Sequence, residues 1–342
     1  MIIAHIHVWD KKNKGDVAIV LAVQELLKTR FPTAKIVDFP ITVLKAATAY
    51  DLIKINKCDL IVIGGGGIYY HYFMPYDINT IKKIKPLMVI FGVGYIREIG
   101  ARPLTKLESK SIVFLNNFAK LISVRDYYTK KFLIKNGVPA KKINIIGDPA
   151  IFLKEEKIKN LKLKNIINIG FNLNYSGWLK FGRYEKVILK SYKETLNYFK
   201  TKYNADIYYL LHHPDEKTIL KKLKFKNIKI IDLTPKQQKY FYSQLDLIIG
   251  MMLHSVVLAF GSGTPEINIG YDLRNKNFAK FINCPELLIS ADKLGAKNNN
   301  LLDRAQAVFK KEKLYRQKFI ARKKSIWLQH DNFLKQIELF IK

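Results

Sequence analysis

Short, wholly apolar runs alternate along this chain with longer stretches whose apolar residues return every three or four positions. The first kind predicts buried parallel strands and the second predicts amphipathic helices. In the first half, strands are expected at 1–9, 35–38, 59–63, 87–91, 121–124 and 143–146. Helices are expected at 46–54, at 111–120 and at 17–27, where Val17, Val20, Leu21, Val23, Leu26 and Leu27 fall at helical spacing. The stretch 154–165 is basic and polar with no apolar period, so it reads as a linker.

The alternation then restarts with a strand at 166–171, a helix at 184–203, strands at 207–211 and 228–231, and a helix around 237–244. Leu245, Leu247, Ile248 and Ile249 form an apolar run that stops at Gly250. A helix over 254–260 follows and closes on Gly261 and Gly263, then a strand at 267–269 and a charged loop, Tyr271-Asp272-Leu273-Arg274. Residues 300–342 read as one long helical tail with an apolar stripe of Phe309, Leu314, Phe319, Ile326, Trp327, Phe333, Leu334, Ile337 and Leu339, which suggests packing across the protein. A basic amphipathic membrane helix is the rival reading. The pattern divides the chain into a Rossmann-like domain at 1–155, a linker at 156–165, a second Rossmann-like domain at 166–299 and a closing helical segment at 300–342.

Composition changes this picture little. At 342 residues, 49% hydrophobic and 25% charged, the chain has ample material for two globular domains. No apolar run approaches the roughly 20 residues of a membrane span. The first nine residues are interrupted by two histidines and followed by Asp10 and then Lys-Lys-Asn-Lys, unlike a secretory signal. Cys58 and Cys284 are too few for a disulfide framework, so a reducing cytoplasm is the expected setting. The net charge of +31 points to anionic partners or to a lysine-rich background spread over the surface. The scatter of lysines through every segment, and the lack of a nucleic-acid-binding motif, favour the background. A basic face held peripherally against anionic lipid at the inner membrane is the minority reading.

Candidate chemistry gathers where strands end. Asn13, Gly15 and Asp16 lie in a tight βα turn compatible with a phosphate, or equally with a plain helix cap. Gly64-Gly65-Gly66-Gly67 after a buried strand lets backbone approach a ligand. Tyr70, in a run of aromatics, suits stacking on a sugar or packing under a lid. Arg125 offers a planar fork for phosphate or carboxylate, or else pairs structurally with Asp126. His212 and His213 sit at a strand end and point to opposite faces, which makes joint metal binding improbable while leaving either able to touch a substrate. His254 and Ser255 open a helix where unpaired amides face outward. No metal site is expected.

The ordered set of Asn13-x-Gly-Asp16, the glycine run, Gly92-Val93-Gly94, Arg125-Asp126, Asp148-Pro149-Ala150 and His254-Ser255 through Gly263-Thr264-Pro265, Tyr271, Arg274 and Phe278 resembles the polysaccharide pyruvyl transferase family. The resemblance covers about residues 8 to 280 and also puts a helix from Arg125-Asp126 to Gly137. It implies two Rossmann-like domains facing across a cleft, in the GT-B manner. It further implies transfer of a pyruvyl group from phosphoenolpyruvate, with no cofactor, to two hydroxyls of a glycan or lipid-linked saccharide.

On this resemblance His254 is the general acid. Arg125 binds the donor phosphate, helped by Arg274, Ser255 and the backbone at Asn13, Gly15, Asp16, Gly65, Gly66 and Gly67. His212, Tyr70 and Trp178 are the expected acceptor ligands. One departure stands out. The family often carries Arg two residues before the histidine, where this chain has Met252. Arg97, Arg102, Arg274 or Lys276 then replaces that charge, or the donor is different. The alternative is a GT-B glycosyltransferase using a nucleotide sugar, with Glu266 as a ribose ligand. A glycan-binding protein without catalysis is a third class.

Overall fold

A computed structural model describes the chain apart from residues 9, 98–101, 162, 164–166, 175–180, 297–298 and 342. The first lobe contains β1 (Ile2–His7), α1 (Lys14–Arg30), β2 (Lys35–Pro40), α2 (Ala49–Asn56), β3 (Leu60–Gly64), α3 (Ile78–Lys82), β4 (Leu87–Val93), α4 (Lys106–Phe118), β5 (Leu121–Val124), α5 (Tyr127–Lys135) and β6 (Ile143–Ile145). Its six strands run parallel in the order β2-β1-β3-β4-β5-β6. Every residue of β3, and all but the first of β4, is buried, as expected for strands covered on both faces.

The second lobe contains β7 (Asn168–Phe171), α6 (Glu185–Tyr203), β8 (Asp206–Leu210), α7 (Glu216–Leu223), β9 (Lys229–Ile231), α8 (Pro235–Ser243), β10 (Leu247–Gly250), α9 (Leu253–Ser262), β11 (Glu266–Gly270), α10 (Leu273–Phe281) and β12 (Leu288–Ser290). This sheet is also parallel, in the order β12-β11-β10-β7-β8-β9. The described part of the expected linker holds neither helix nor strand. Both lobes are therefore α/β units of the expected kind.

Strand order reverses at β1/β3 in the first sheet and at β7/β10 in the second. Crevices at such reversals, beyond the strands' carboxyl ends, are where open α/β sheets bind ligands. The lobes are held together beside them: Lys14 N–H donates to His212 O at 3.0 Å, and the buried Lys239 Nζ donates to Ile151 O and Leu153 O, both at 2.7 Å.

Two expectations need correction. The charged loop at Tyr271-Asp272-Leu273-Arg274 is the start of α10, because Asp272 Oδ1 accepts from Arg274 N at 2.8 Å and caps it. The tail is not one helix but two, α11 (Leu301–Lys310) and α12 (Glu312–Ile341). Phe319, Ile326, Phe333, Leu334 and Ile337 are buried as the stripe required, whereas Leu314, Trp327 and Leu339 face solvent. Helix α12 does cross the molecule: Phe319 packs on Phe260 of α9, while Phe333 packs on Phe91 of β4 and Asp331 pairs with Arg30 of α1. No described helix is long and apolar enough to cross a membrane.

Candidate active site

The two crevices open into one cavity of about 280 Å³. The first lobe supplies Val8, Asp10, Asn13, Asp16, Gly67, Tyr70 and Ile96 to its wall, and the second supplies Asn174, Met252, Leu253, His254, Tyr271 and Arg274. A broader surface groove of about 600 Å³ along α4, lined by Lys110, Phe114 and Phe118, has none of this convergence.

His254 lies in the first turn of α9, whose cap residue Met252 provides no side-chain acceptor. Asn172 Oδ1, just beyond β7, accepts from Met251 N at 2.8 Å and Met252 N at 3.2 Å and so fixes the strand-to-helix turn. The imidazole lies against Gly15: a Cβ there would stand 1.9 Å from His254 Nδ1. Glycine at that position is what lets the start of α1 approach the ring. His254 Nε2 is 3.8 Å from Asp16 Oδ1, on the other lobe.

The electrostatics of this pair are unusual. Burial, and then the positive charges of Arg274 and Arg125, hold the His254 imidazole well below its ordinary pKa, so it is neutral in the free protein. Burial pushes the Asp16 carboxyl up to about 7, with Asp10 adding to the rise and Arg274 and Arg125 opposing it. A proton on Asp16 is thus gained or lost near neutrality.

Among the described residues, Arg274 is the cation in the cavity wall. Its Nε donates to Asp272 Oδ2 at 2.6 Å and its Nη2 lies 3.5 Å from Tyr271 OH, which sets the guanidinium toward Asp16 and His254. Arg125 is placed differently. It is 5% exposed, beneath the cavity, with Nε 3.4 Å from Asp126 Oδ2 and Nη1 3.6 Å from Asp148 Oδ2. A narrow space of about 10 Å³ separates it from Arg274, Phe278 and Phe281, so it acts on the cavity through its field.

Residues 13–272 match the family model for polysaccharide pyruvyl transferase, about three quarters of the sequence. The chain belongs to the polysaccharide pyruvyl transferase family. It is therefore placed among transferases. No curated protein matches this pyruvyl transferase family member. Its architecture is similar to that of solved structures at low identity. A putative UDP-N-acetylglucosamine 2-epimerase from Listeria monocytogenes has a TM-score of 0.60 at 12% identity, over 93% of this chain and 90% of that one. The UDP-GlcNAc 2-epimerase from Methanocaldococcus jannaschii gives 0.58 at 13%, over 90% and 92%. Anabaena HepE in complex with UDP and glucose gives 0.59 at 11%, over 100% and 99%. These likenesses establish the two-lobed GT-B arrangement of this family member.

Within that frame the expected site residues separate clearly. His254, Asp16, Asn13, Gly67, Tyr70 and Arg274 come together at the cavity, and Gly15 supports it from behind the His254 ring. Asn13 Oδ1 is occupied by Gly15 N at 3.0 Å, so its side chain is a helix cap. Gly65 N–H donates to Phe91 O at 2.9 Å, and Gly65 and Gly66 take positive φ to turn the chain, leaving only Gly67 of the run on the cavity. Ser255 is buried, with Oγ 3.0 Å from Tyr242 OH, and does not reach the cavity.

His212 is also enclosed, with Nε2 2.6 Å from Tyr242 OH, and burial drives its pKa down to about 3. As placed, it supports the wall from behind and is not an acceptor ligand. Trp178 lies outside the described residues. Glu266 is fully buried in β11, with neither carboxyl oxygen hydrogen-bonded, and is no ribose ligand.

Of the proposed replacements for the family arginine, Arg102 is bound to Glu108 at 2.6 and 2.7 Å, and Arg97 and Lys276 are exposed away from the wall, leaving Arg274. Asp10 and Asn174 line the site without having been given a role in it, and Tyr271, which the family signature included without a role, lines it too. The position of Asp10 and Asn174 just past two buried apolar runs was the available signal.

Proposed function

We propose that this enzyme moves a pyruvyl group from phosphoenolpyruvate onto two hydroxyls of one sugar in a surface or cell-wall glycan, forming a cyclic ketal and releasing phosphate. The observation that carries this reading is the meeting of His254 and Asp16, from opposite lobes, beside Arg274 in one cavity. A donor bearing both phosphate and carboxylate suits a wall whose cation is a guanidinium.

The donor's negative charge raises the proton affinity of both His254 and Asp16. The proton held near neutrality on Asp16 then serves the pair, and His254 delivers it to the methylene carbon. A cation develops at the neighbouring carbon, where the first sugar hydroxyl adds. Phosphate leaves, and the second hydroxyl closes the ring. Of the two hydroxyl protons released, one restores the acid and the other departs with phosphate. Tyr70, in the wall, offers a ring face to the acceptor sugar. The acceptor is a glycan or lipid-linked saccharide, met on the cytoplasmic side, and the charge of +31 would favour contact with anionic membrane.

A second reading is supported by two observations. Met252 faces the cavity where the family often has a cation, and HepE was solved with UDP and glucose, so a nucleotide-sugar donor is the competing substrate class. Thermal stabilisation separates the two readings. Phosphoenolpyruvate is expected to raise Tm, and a panel of nucleotide sugars to leave it unchanged; the opposite outcome would replace the first reading with the second.

A further inference from the structure

The histidines of β1 take no part in the chemistry above. His5 and His7 are two residues apart, so their rings leave the strand on one face, and Asp38 of β2 stands opposite His5 in the register. Both histidines are buried, and Asp38 is about 40% exposed at its side chain.

Each ring commits one nitrogen to a backbone carbonyl: His5 Nε2 to Gly64 O at 3.2 Å and His7 Nδ1 to Val8 O at 2.8 Å. A carbonyl only accepts, so those nitrogens carry hydrogen, and in neutral rings the lone pairs lie on His5 Nδ1 and His7 Nε2. Both lone pairs face Asp38 Oδ1, at 3.8 Å and 3.1 Å. His5 Nδ1 is buried without a hydrogen-bond partner. Three acceptors turned toward one point repel one another until something positive sits among them.

The geometry points to a site for one divalent transition-metal ion of the zinc class, held by His5 Nδ1, His7 Nε2 and an Asp38 oxygen, with its remaining position open to water. Bonds of about 2.0–2.2 Å at tetrahedral angles set ligand atoms about 3.3–3.6 Å apart, and the two separations here, 3.1 and 3.8 Å, bracket that range. The three ligand atoms lie within 4.8 Å of one another, a grouping found once among the described residues. Two imidazoles and a carboxylate favour zinc or cobalt over magnesium and calcium, which take oxygen. The ring N–H groups given to carbonyls are the outer contacts that orient metal-bound histidines. Gln24 Nε2, donating to Asp38 Oδ1 at 2.7 Å, steadies the carboxylate.

The ion would tie β1 to β2 and, through His5 and Gly64, to the start of the glycine run. It would brace the cleft floor from outside the cavity, independently of which donor is used. The rival arrangement is a protonated His7 paired with Asp38 and no metal.

The test uses the full chain, stripped with a chelator and then titrated with zinc chloride by calorimetry and with cobalt chloride by visible absorption. The folded wild type is expected to take up one equivalent, with a cobalt spectrum typical of mixed nitrogen and oxygen ligation. His7→Ala and Asp38→Asn should each weaken uptake at least about tenfold, and His71→Ala, outside the cluster, should leave it unchanged. Asp38 is partly exposed, so Asp38→Asn decides the matter if His7→Ala misfolds. Absence of stoichiometric uptake by the wild type, or uptake that survives Asp38→Asn, overturns the site in favour of the ionic pair.

Discussion

Asp16 is largely withdrawn from solvent, and this partial burial is what brings its proton to exchange near neutral pH. Its pKa in the folded chain, about 7, lies above the ordinary carboxylate value of 3.8. The folded state therefore binds more protons than the unfolded one between these values, and this carboxyl's contribution to stability declines as pH rises through that window. Asp16→Asn removes the charge, and its Tm at pH 8 should exceed that of the wild type in calorimetry, while turnover falls. A second consequence concerns the proposed donor, an anion expected to bind best while Asp16 is protonated. Affinity for phosphoenolpyruvate should drop as pH rises past about 7 in the wild type, and titrations of Asp16→Asn should show no such drop.

His254→Ala is expected to lower kcat by about 10² to 10⁴-fold while leaving donor affinity largely intact, as read by single-turnover assays and binding. Full activity in that variant would remove His254 from its role. Arg274→Met should instead weaken donor binding with folding retained, and Met252→Arg, which restores the charge frequent in the family, should strengthen it. His254 was legible because a histidine following an apolar run and opening a helix sits where parallel sheets bind anions. Its partner was not: Asp16 read equally well as a cap, and only the docking of two lobes shows that its carboxyl faces the ring. Arg125 was misplaced for the same reason. The sequence shows a neighbouring Asp126, but the second carboxylate, Asp148, reaches it only through the fold.

Among the elements, the start of α1 carries the tightest constraint on the site. Backbone and ring meet so closely at Gly15 that an added methyl group would stand 1.9 Å from Nδ1, forcing His254 out of place. Displacements of about 1 Å at a reacting group can cost on the order of 100-fold in rate, so Gly15→Ala should lose activity on that scale. A crystal structure of the variant would show the imidazole moved away from Asp16, and an unmoved ring would refute this account. The strands and the major helices were readable from their periodicity, because parallel strands buried on both faces leave uninterrupted apolar runs. Helix α10 was not, since most of its positions are polar and its start is set by the Asp272 side chain. The break between α11 and α12 was equally hidden, because the apolar stripe continues through it.

Considered as a whole, the molecule joins two lobes through α12. Phe333 is buried against Phe91 of the first lobe, and truncating such a ring usually costs about 3–5 kcal/mol. Phe333→Ala should lower the midpoint of chemical unfolding accordingly, and should do so for probes in either lobe, because the helix touches both. A loss confined to one half would show that the halves unfold separately.

The same helix limits how the enzyme can breathe. A strut seated on both lobes, with Lys14 bonded to the carbonyl of His212 close to His254 and Asp16, opposes a wide opening of the cleft. The glycan acceptor proposed above is then expected to enter by the standing cleft, without a wide parting of the lobes.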